Sequence, residues 1–287
     1  MIKKNQLNIF ILFFLLFGFI YTSQAQQQNI LSKDGTKINF IAAGNGEPAL
    51  VFVHGWSCDK SYWNKQVKVF SAKYKTVILD LAGHGESGLE RKNYTMELFG
   101  EDVAAVVNNL HLKKVILIGH SMGGAVVIEA AKLLKGKVIG LVGADTYQNF
   151  KDDWTPEQKE NFLKPFYSDF VNTTKNFVKN LLPKTADSTL VNKIENDMSS
   201  APPDVAISAL KNLLFYDPIP TLKEIRLPII SINCDMFPTT IDENKKYVDS
   251  FNVKIIKGVG HFVMLEATAK FNQLLQESID ELTKNIY

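Results

Sequence analysis

Cysteine, excess charge and metal-ligand patterns are all scarce in this chain of 287 residues. Only two cysteines occur, Cys58 and Cys234, which excludes a dense disulfide framework. The 32 basic and 30 acidic residues nearly cancel, whereas a nucleic-acid-binding protein is expected to carry a basic patch or stripe. No Cys and His residues have the spacing of a zinc site. The sequence therefore predicts neither a nucleic-acid partner nor a bound metal.

Long apolar runs are absent except at the start of the chain. Lys3 and Lys4 precede an apolar run from Leu7 to Tyr21, and small residues follow up to Ala25. This order is typical of a secretory signal peptide cleaved after Ala25. At about 15 residues the run is shorter than the roughly 20 that span a bilayer. We expect export to the periplasm or the medium, with no stable membrane anchor after cleavage.

Export also bears on charge and on the cysteines. Cleavage after Ala25 removes two lysines and no acidic residue, which leaves 30 of each sign in a nearly neutral mature chain. An oxidising compartment permits a disulfide. However, the predicted strands beside Cys58 and Cys234 are not neighbours in the expected sheet. We therefore expect two free thiols.

Residues 26–145 alternate between strand and helix patterns. Asp34-Gly35 is a strong turn dipeptide and predicts a hairpin of Ile30–Ser32 with Lys37–Ala42. Helical spacing of apolar residues follows in Met96–Leu110 and Ala125–Leu134. Between these elements lie continuous apolar runs, typical of strands buried on both faces, at 49–55, 76–83, 115–121 and 138–145. The alternation predicts an α/β fold with a mostly parallel sheet.

The rhythm breaks at residues 146–226, which contain helical stretches rich in aromatic residues and no buried-strand run. Thr155 to Gln158 has the pattern of a helix-capping box. Strand patterns resume at 227–234 and 251–258, with helices from about Asp242, after a second capping-box pattern beginning at Thr240, and from about Thr268. We therefore predict one core domain, residues 26–145 and 227–287, interrupted by an inserted helical cap, residues 146–226. Most aromatic residues of the cap are expected to form its own core, and some to shape an apolar slot above the sheet.

The run VILIGHSMGG, residues 115–124, ends a predicted strand at a serine enclosed by glycines. It contains G-x-S-x-G at Gly119 to Gly123, between a predicted strand and a predicted helix. That placement is what a nucleophile elbow requires, because the sharp turn lifts the serine above the sheet edge. The alternative is an ordinary strand-to-helix turn. The context favours Ser121 as a nucleophile.

A serine nucleophile needs a base to accept its proton, and five histidines compete for this role. His111 lies in a helix-to-strand connection and is expected to be solvated. His54 and His84 lie beside glycines in loops, where orienting the backbone is the better interpretation. His120 adjoins the nucleophile along the chain, so its ring should point elsewhere. His261, just past the last predicted strand, is the predicted base.

The chain resembles the α/β-hydrolase fold superfamily, in the branch with a helical cap. The resemblance extends over roughly Ile30 to Leu282. It is carried, in order, by HGW (54–56), DLAGHGES (80–87), GHSMGG (119–124) and GVGHFVMLE (258–266). It implies a mostly parallel twisted sheet with helices on both faces, and a Ser, acid, His catalytic triad ending in His261.

The resemblance leaves two candidates for the triad acid. The position usual in the superfamily falls near Met236 or Phe237, so it holds no acidic residue. Asp235 lies in the same loop but slightly early. Asp145 follows the strand before the cap, as in relatives that include many haloalkane dehalogenases, and is favoured, with Asp235 then bracing its own loop. Asp80 is expected to be structural.

Two backbone amides are predicted to form the oxyanion hole. Elbow geometry assigns one to Met122, the residue after the nucleophile. The resemblance assigns the other to Trp56, whose side chain is also a candidate wall of the pocket. Losing one such donor typically costs about 3 to 4 kcal/mol of barrier.

These features predict an exported serine hydrolase that cleaves a small or medium uncharged carboxylic ester or lactone through an acyl-enzyme, without a cofactor. The small-molecule substrate is the expected partner. Carbon-carbon bond hydrolases and peroxide-using relatives could employ the same triad, and a non-enzymatic small-molecule binding protein could share the fold. The serine counts against dehalogenases and epoxide hydrolases, which use an aspartate nucleophile.

Overall fold

The computed structural model describes residues 26–284. The predicted signal peptide lies outside the described residues. Within them, eight strands form one sheet in the order β1-β2-β4-β3-β5-β6-β7-β8, in which β2 is antiparallel to β1 and β4 and the remaining pairs are parallel. The strands are β1 (Gln26–Leu31), β2 (Lys37–Ala43), β3 (Ala49–Val53), β4 (Thr76–Leu79), β5 (Val115–His120), β6 (Val138–Ala144), β7 (Ile229–Cys234) and β8 (Phe251–Ile256).

Eleven α-helices and one short 3-10 helix (Lys60–Trp63) occur in the same range of residues. They are α1 (Asn64–Phe70), α2 (Met96–Asn109), α3 (Met122–Leu133), α4 (Pro156–Ser168), α5 (Phe170–Asn180), α6 (Ser188–Ser199), α7 (Pro203–Leu214), α8 (Ile219–Ile225), α9 (Ile241–Lys245), α10 (Val263–Glu266) and α11 (Thr268–Thr283). None of these helices combines the length and apolarity needed to cross a bilayer.

The central strands are buried on both faces, as their apolar runs predict. Every residue of β3, β4, β5 and β7 is buried. Helices cover the sheet in two groups: α2 packs on α3, and α1 packs on α11. The predicted α/β fold with a mostly parallel sheet is confirmed.

Three local predictions differ from the structure. Strand β1 begins at Gln26 rather than Ile30, because an edge strand can pair through its backbone while its polar side chains face solvent. Thr240 precedes α9 but forms no capping box, since its hydroxyl donates to the carbonyl of Gln148 at 3.0 Å. Helix α1 was not predicted, although Trp63, Val67 and Phe70 have helical spacing.

Residues 146–226, the predicted cap, form helices α4 to α8, between β6 and β7. The predicted capping box of Thr155 and Gln158 is present at the start of α4. The indole N–H of Trp56 donates to the carbonyl of Ala206 at 2.7 Å. The Tyr216 hydroxyl also donates to the carboxylate of Glu129 at 2.6 Å. These two bonds attach residues 146–226 to the loop after β3 and to α3.

Cys58 and Cys234 are both free and buried. Two strands, β5 and β6, separate β3 from β7 in the sheet. Burial raises the pKa of the Cys58 thiol. The thiol at this position is therefore protonated at neutral pH.

Candidate active site

Ser121 occupies a strained turn between β5 and α3. Its φ is 51° and its ψ is −118°, a conformation that non-glycine residues rarely adopt. The amide of Ser121 donates to the carbonyl of Ala144 at 3.2 Å. The serine therefore stands at the carboxyl edge of the sheet, beside the end of β6.

The glycines around Ser121 are required by close backbone approaches. A Cβ atom at Gly119 would lie 2.2 Å from the carbonyl oxygen of Gly123, and one at Gly123 would lie 2.6 Å from the carbonyl oxygen of Val53. At Gly124 a Cβ atom would lie 2.6 Å from the side chain of Thr146. A larger residue at any of the three positions would displace backbone or the loop after β6.

Asp145 and His261 form a direct side-chain pair. Oδ2 of Asp145 lies 2.6 Å from Nδ1 of His261, and Oδ1 accepts the amide of Cys234 at 2.8 Å. The carboxylate is fully buried, whereas 13% of the histidine side chain is exposed. Because a carboxylate only accepts hydrogen bonds, Nδ1 carries the proton and Nε2 is left as the basic nitrogen.

Ser121, Asp145 and His261 line one cavity of about 540 Å³. The elbow also contacts the His261 loop directly, since Nε2 of His120 donates to the backbone carbonyl of His261 at 3.1 Å. The structure therefore brings together the three predicted triad residues. Their catalytic roles remain predictions.

The other two acidic residues considered, Asp80 and Asp235, bond to groups other than the His261 ring. Asp80 is buried and accepts the amide and the ammonium of Lys60 at 2.7 and 2.6 Å. Asp235 is exposed and accepts the amide of Gly258 at 2.9 Å. Gly258 follows β8, so the Asp235 carboxylate joins the loop after β7 to the loop that carries His261, and the prediction that it braces its own loop is wrong. Asp80 also accepts the amide of Glu86 at 2.9 Å, which fixes the loop after β4.

Of the other four histidines, three are buried with hydrogen-bond partners and one is exposed to solvent. Nδ1 of His54 donates to the carbonyl of Gly55, and its Nε2 accepts the amide of Leu81. Nδ1 of His84 donates to the carbonyl of Ala82. Burial lowers the pKa of His54 and His120, and that of His84 to about 3. His111 is exposed.

The two predicted oxyanion-hole residues lie on different parts of the site. Met122 is the first residue of α3 and lines the cavity. The first amides of a helix lack intrahelical partners and carry the positive end of its dipole, which suits a developing oxyanion.

Trp56 belongs to the loop after β3, and this loop packs against the elbow. A Cβ atom at the preceding Gly55 would lie 2.8 Å from Nδ1 of His120. The Trp56 indole does not line the cavity; it meets three cap phenylalanines edge-on, with ring centroids 5.6 to 6.2 Å apart. The side chain of Trp56 therefore contacts the predicted cap, and the prediction that it walls the cavity is wrong. The oxyanion role of its amide stays a prediction.

The cavity is lined by both apolar and charged residues. One wall is a stripe on α3 formed by Met122, Ala125 and Ile128, at a spacing of three residues. The cap faces this stripe with Leu213, Leu214, Tyr216 and Pro218. The loop after β6 lines the cavity with charged residues, Lys151, Asp152 and Asp153, and with aromatic residues that include Phe150 and Trp154.

Within residues 26–284, no group of three or more His, Cys, Asp or Glu side chains is arranged to hold a metal ion. The residues that converge at the cavity are a hydroxyl, an imidazole, a carboxylate and helix-terminal amides. This set suits acyl transfer by a nucleophile and a base.

The known proteins that this chain resembles include esterases and a lactonase. Pimeloyl-[acyl-carrier protein] methyl ester esterase of Wigglesworthia glossinidia brevipalpis is 29% identical over 248 residues, covering 81% of this chain and 94% of that protein. Among solved structures, a thermophilic esterase from Thermogutta terrifontis superposes with a TM-score of 0.78 at 24% identity, covering 90% of this chain and 99% of the other. The enol-lactonase from Burkholderia xenovorans LB400 superposes with a TM-score of 0.74 at 18% identity, covering 87% and 98%.

The sequence profile of the Alpha/beta hydrolase family matches residues 50–274. This span includes Ser121, Asp145 and His261, and it runs from β3 into α11. The α/β-hydrolase fold predicted from the four motifs is therefore confirmed, and the chain is a hydrolase that belongs to the Alpha/beta hydrolase family.

Proposed function

We propose that the protein hydrolyses a small or medium uncharged carboxylic ester or lactone through an acyl-enzyme formed on Ser121. The observation that carries this proposal is the Asp145–His261 pair, whose side chains are 2.6 Å apart at the cavity that Ser121 also lines. A buried carboxylate that fixes the histidine tautomer is what a serine nucleophile needs from its base.

In the proposed reaction, Oγ of Ser121 attacks the carbonyl carbon while Nε2 of His261 takes the hydroxyl proton. The amides of Met122 and Trp56 donate to the oxyanion. Collapse of this intermediate breaks the bond to the alkoxy oxygen, which leaves with the proton from His261. Water then attacks the acyl carbon with His261 again as base, releasing the acid and restoring the serine. Asp145 stabilises the imidazolium at both stages.

The cavity supports a substrate with an apolar group of medium size. Its apolar wall follows α3 from Met122 to Ile128, about 9 Å along the helix axis at 1.5 Å per residue. Pockets of this kind bind through apolar area and few polar contacts. Of the charged lining residues, Asp152 forms an ion pair with Lys159 of α4, outside the cavity. An uncharged ester or lactone fits this lining, which includes three aspartates, better than a polyanion does.

The similarity to a methyl ester esterase and to a lactonase supports an ester or lactone bond as the target. A lactone is a cyclic ester, so both substrates pass through the same acyl-enzyme chemistry.

The test is covalent labelling with a fluorophosphonate, together with hydrolysis of p-nitrophenyl esters of rising chain length and of simple lactones. We expect stoichiometric modification at Ser121 and saturable turnover. Ser121→Ala should abolish labelling and lower kcat by about 10⁴-fold or more. An intact, folded protein that is neither labelled nor active on these substrates would overturn the proposal and favour a binding protein of the same fold.

We also propose that the protein acts outside the cytoplasm. The support is the basic, apolar and small-residue order of residues 1–25. Expression of the full chain followed by fractionation and mass spectrometry of its N-terminus tests this. Export with a new terminus at residue 26 is expected, and an uncleaved cytoplasmic chain would contradict it.

A further inference from the structure

The carboxylate of Glu266 brackets the backbone around His261. Its Oε2 accepts the amide of Gly260 at 2.8 Å, and its Oε1 accepts the amide of Phe262 at 3.0 Å. Glu266 is the last residue of α10, which follows the His261 loop directly. Both oxygens of one side chain thus hold the residues immediately before and after the predicted base.

The amide of His261 itself is held from the other side. It donates to the carbonyl of Leu181, in the cap, at 2.8 Å. A Cβ atom at Gly260 would lie 2.4 Å from that same carbonyl oxygen, so the loop and the cap are in close contact. Three consecutive amides therefore have fixed acceptors, and two of them share the Glu266 carboxylate.

The carboxylate of Glu266 interacts electrostatically with both His261 and Asp145. Burial, and to a smaller extent the Asp145 carboxylate, raise the pKa of Glu266, while the two amides and His261 oppose that rise. A carboxylate that accepts two amides is most stable when ionised. During catalysis a positive charge develops on the imidazole of His261. A second nearby carboxylate favours that charge, in addition to Asp145.

We propose that Glu266 is a positioning residue for His261, which holds the backbone on both sides of the imidazole and supplies a second negative charge that favours the imidazolium. This inference rests on the proposed function, because it assigns Glu266 a task only where His261 is the base. Glu266 acts through His261 and is not proposed to touch the substrate.

Glu266→Gln is the central test. The amide side chain keeps the size of glutamate but has one acceptor oxygen and no charge, so one bracketing bond is lost. We expect kcat on a p-nitrophenyl ester to fall about tenfold, with KM within about twofold. We also expect the pKa seen in the kcat/KM profile to fall by about half a unit, because removing a negative charge disfavours the imidazolium.

Two further variants isolate the cause. Asp235→Asn is the matched control. The Asp235 carboxylate also accepts an amide of the His261 loop, that of Gly258 at 2.9 Å, but it does not hold the residues next to His261. It should leave kcat and the kinetic pKa unchanged. Glu266→Asp keeps the charge but shortens the reach, so kcat should fall while the kinetic pKa stays near that of the native protein.

The labelling rate separates this inference from the proposed function. If the native protein reacts with a fluorophosphonate and Glu266→Gln reacts about tenfold more slowly, the inference is supported. Equal rates and equal kinetic pKa values in native and Glu266→Gln protein, with both folded by circular dichroism, would overturn it. A native protein that does not react at all would instead overturn the proposed function. If Glu266→Gln does not fold, an unchanged kcat in folded Glu266→Asp overturns the positioning role.

Discussion

Nδ1 of His261 lies 2.6 Å from Oδ2 of Asp145, although 116 positions separate the two residues in the sequence. Asp145 follows β6 directly and has a φ of 45°. This left-handed turn directs the carboxylate towards the loop after β8, where His261 lies. The acid that contacts the predicted base therefore follows β6 and not β7.

Asp145→Asn should lower kcat/KM for a p-nitrophenyl ester by about 10⁴-fold, since an amide favours the wrong imidazole tautomer. The measurement is steady-state hydrolysis at pH 7 to 8. Asp235→Asn, which changes a carboxylate of the neighbouring loop in the same way, should stay within about threefold of the native protein. A large loss in the Asp235 variant alone would show that the assignment of the acid is wrong.

The choice between Asp145 and Asp235 illustrates what the sequence could predict. The strand pattern placed both residues at the carboxyl edge of the sheet, because each follows a buried apolar run. It could not show that Asp145 takes a positive φ or that the Asp235 carboxylate accepts the amide of Gly258. These turn conformations depend on tertiary packing, so the two candidates differed in the sequence only by resemblance.

Other parts of the site were less visible in the sequence. In the sequence Glu266 is only the last residue of the GVGHFVMLE motif, and its contacts with the amides of Gly260 and Phe262 depend on the fold. The bond between Tyr216 and Glu129 joins residues 87 positions apart, and no local pattern predicts it. Short-range signals therefore identified Ser121 and His261, while the supporting contacts required the fold.

Gly123→Ala should damage the elbow. The added Cβ atom would lie 2.6 Å from the carbonyl oxygen of Val53, and backbone at the end of a buried strand yields little. We expect a loss of about 1 to 3 kcal/mol in the free energy of unfolding and a fall in kcat of at least tenfold, because the Met122 amide moves with the turn.

Gly136→Ala is the control for this prediction. Gly136 has a positive φ, 83°, which Gly123 does not, and it has open space around it. Alanine there should cost about 1 kcal/mol through backbone strain and leave kcat unchanged. Urea denaturation and ester hydrolysis measure both quantities. An equal loss of kcat in the two variants would mean that stability, and not elbow geometry, limits activity.

Ile128 should set the preferred length of the apolar group. It lies at the far end of the cavity stripe that starts at Met122. Ile128→Phe should shift the best p-nitrophenyl ester to a shorter chain, and Ile128→Ala to a longer one, through changes in KM of several-fold. Leu133→Phe, on the same helix but 50% exposed, should keep the native profile. Unchanged profiles in both Ile128 variants would place the substrate elsewhere in the cavity.

The buried imidazole of His84 should make the protein sensitive to acid. Burial lowers the pKa of His84 to about 3 in the folded chain, against about 6.5 for an exposed histidine. Below pH 6.5 the unfolded chain therefore binds a proton that the folded chain does not, so the free energy of unfolding falls as pH falls. One such site contributes a slope of about 1.4 kcal/mol per pH unit between pH 6 and pH 4. Nothing is contributed above pH 7.

His84→Asn removes this titrating imidazole. The asparagine amide still supplies a donor near the carbonyl of Ala82, to which Nδ1 of His84 donates at 3.0 Å in the native protein. Urea denaturation at pH 7.5, 6, 5 and 4 should give a dependence on pH that is shallower by about 1.4 kcal/mol per unit. Some slope should remain, because burial also lowers the pKa of His54 and His120. His111→Asn changes an exposed histidine and should run parallel to the native protein. A His84→Asn curve parallel to the native one would mean that His84 is protonated in the folded state.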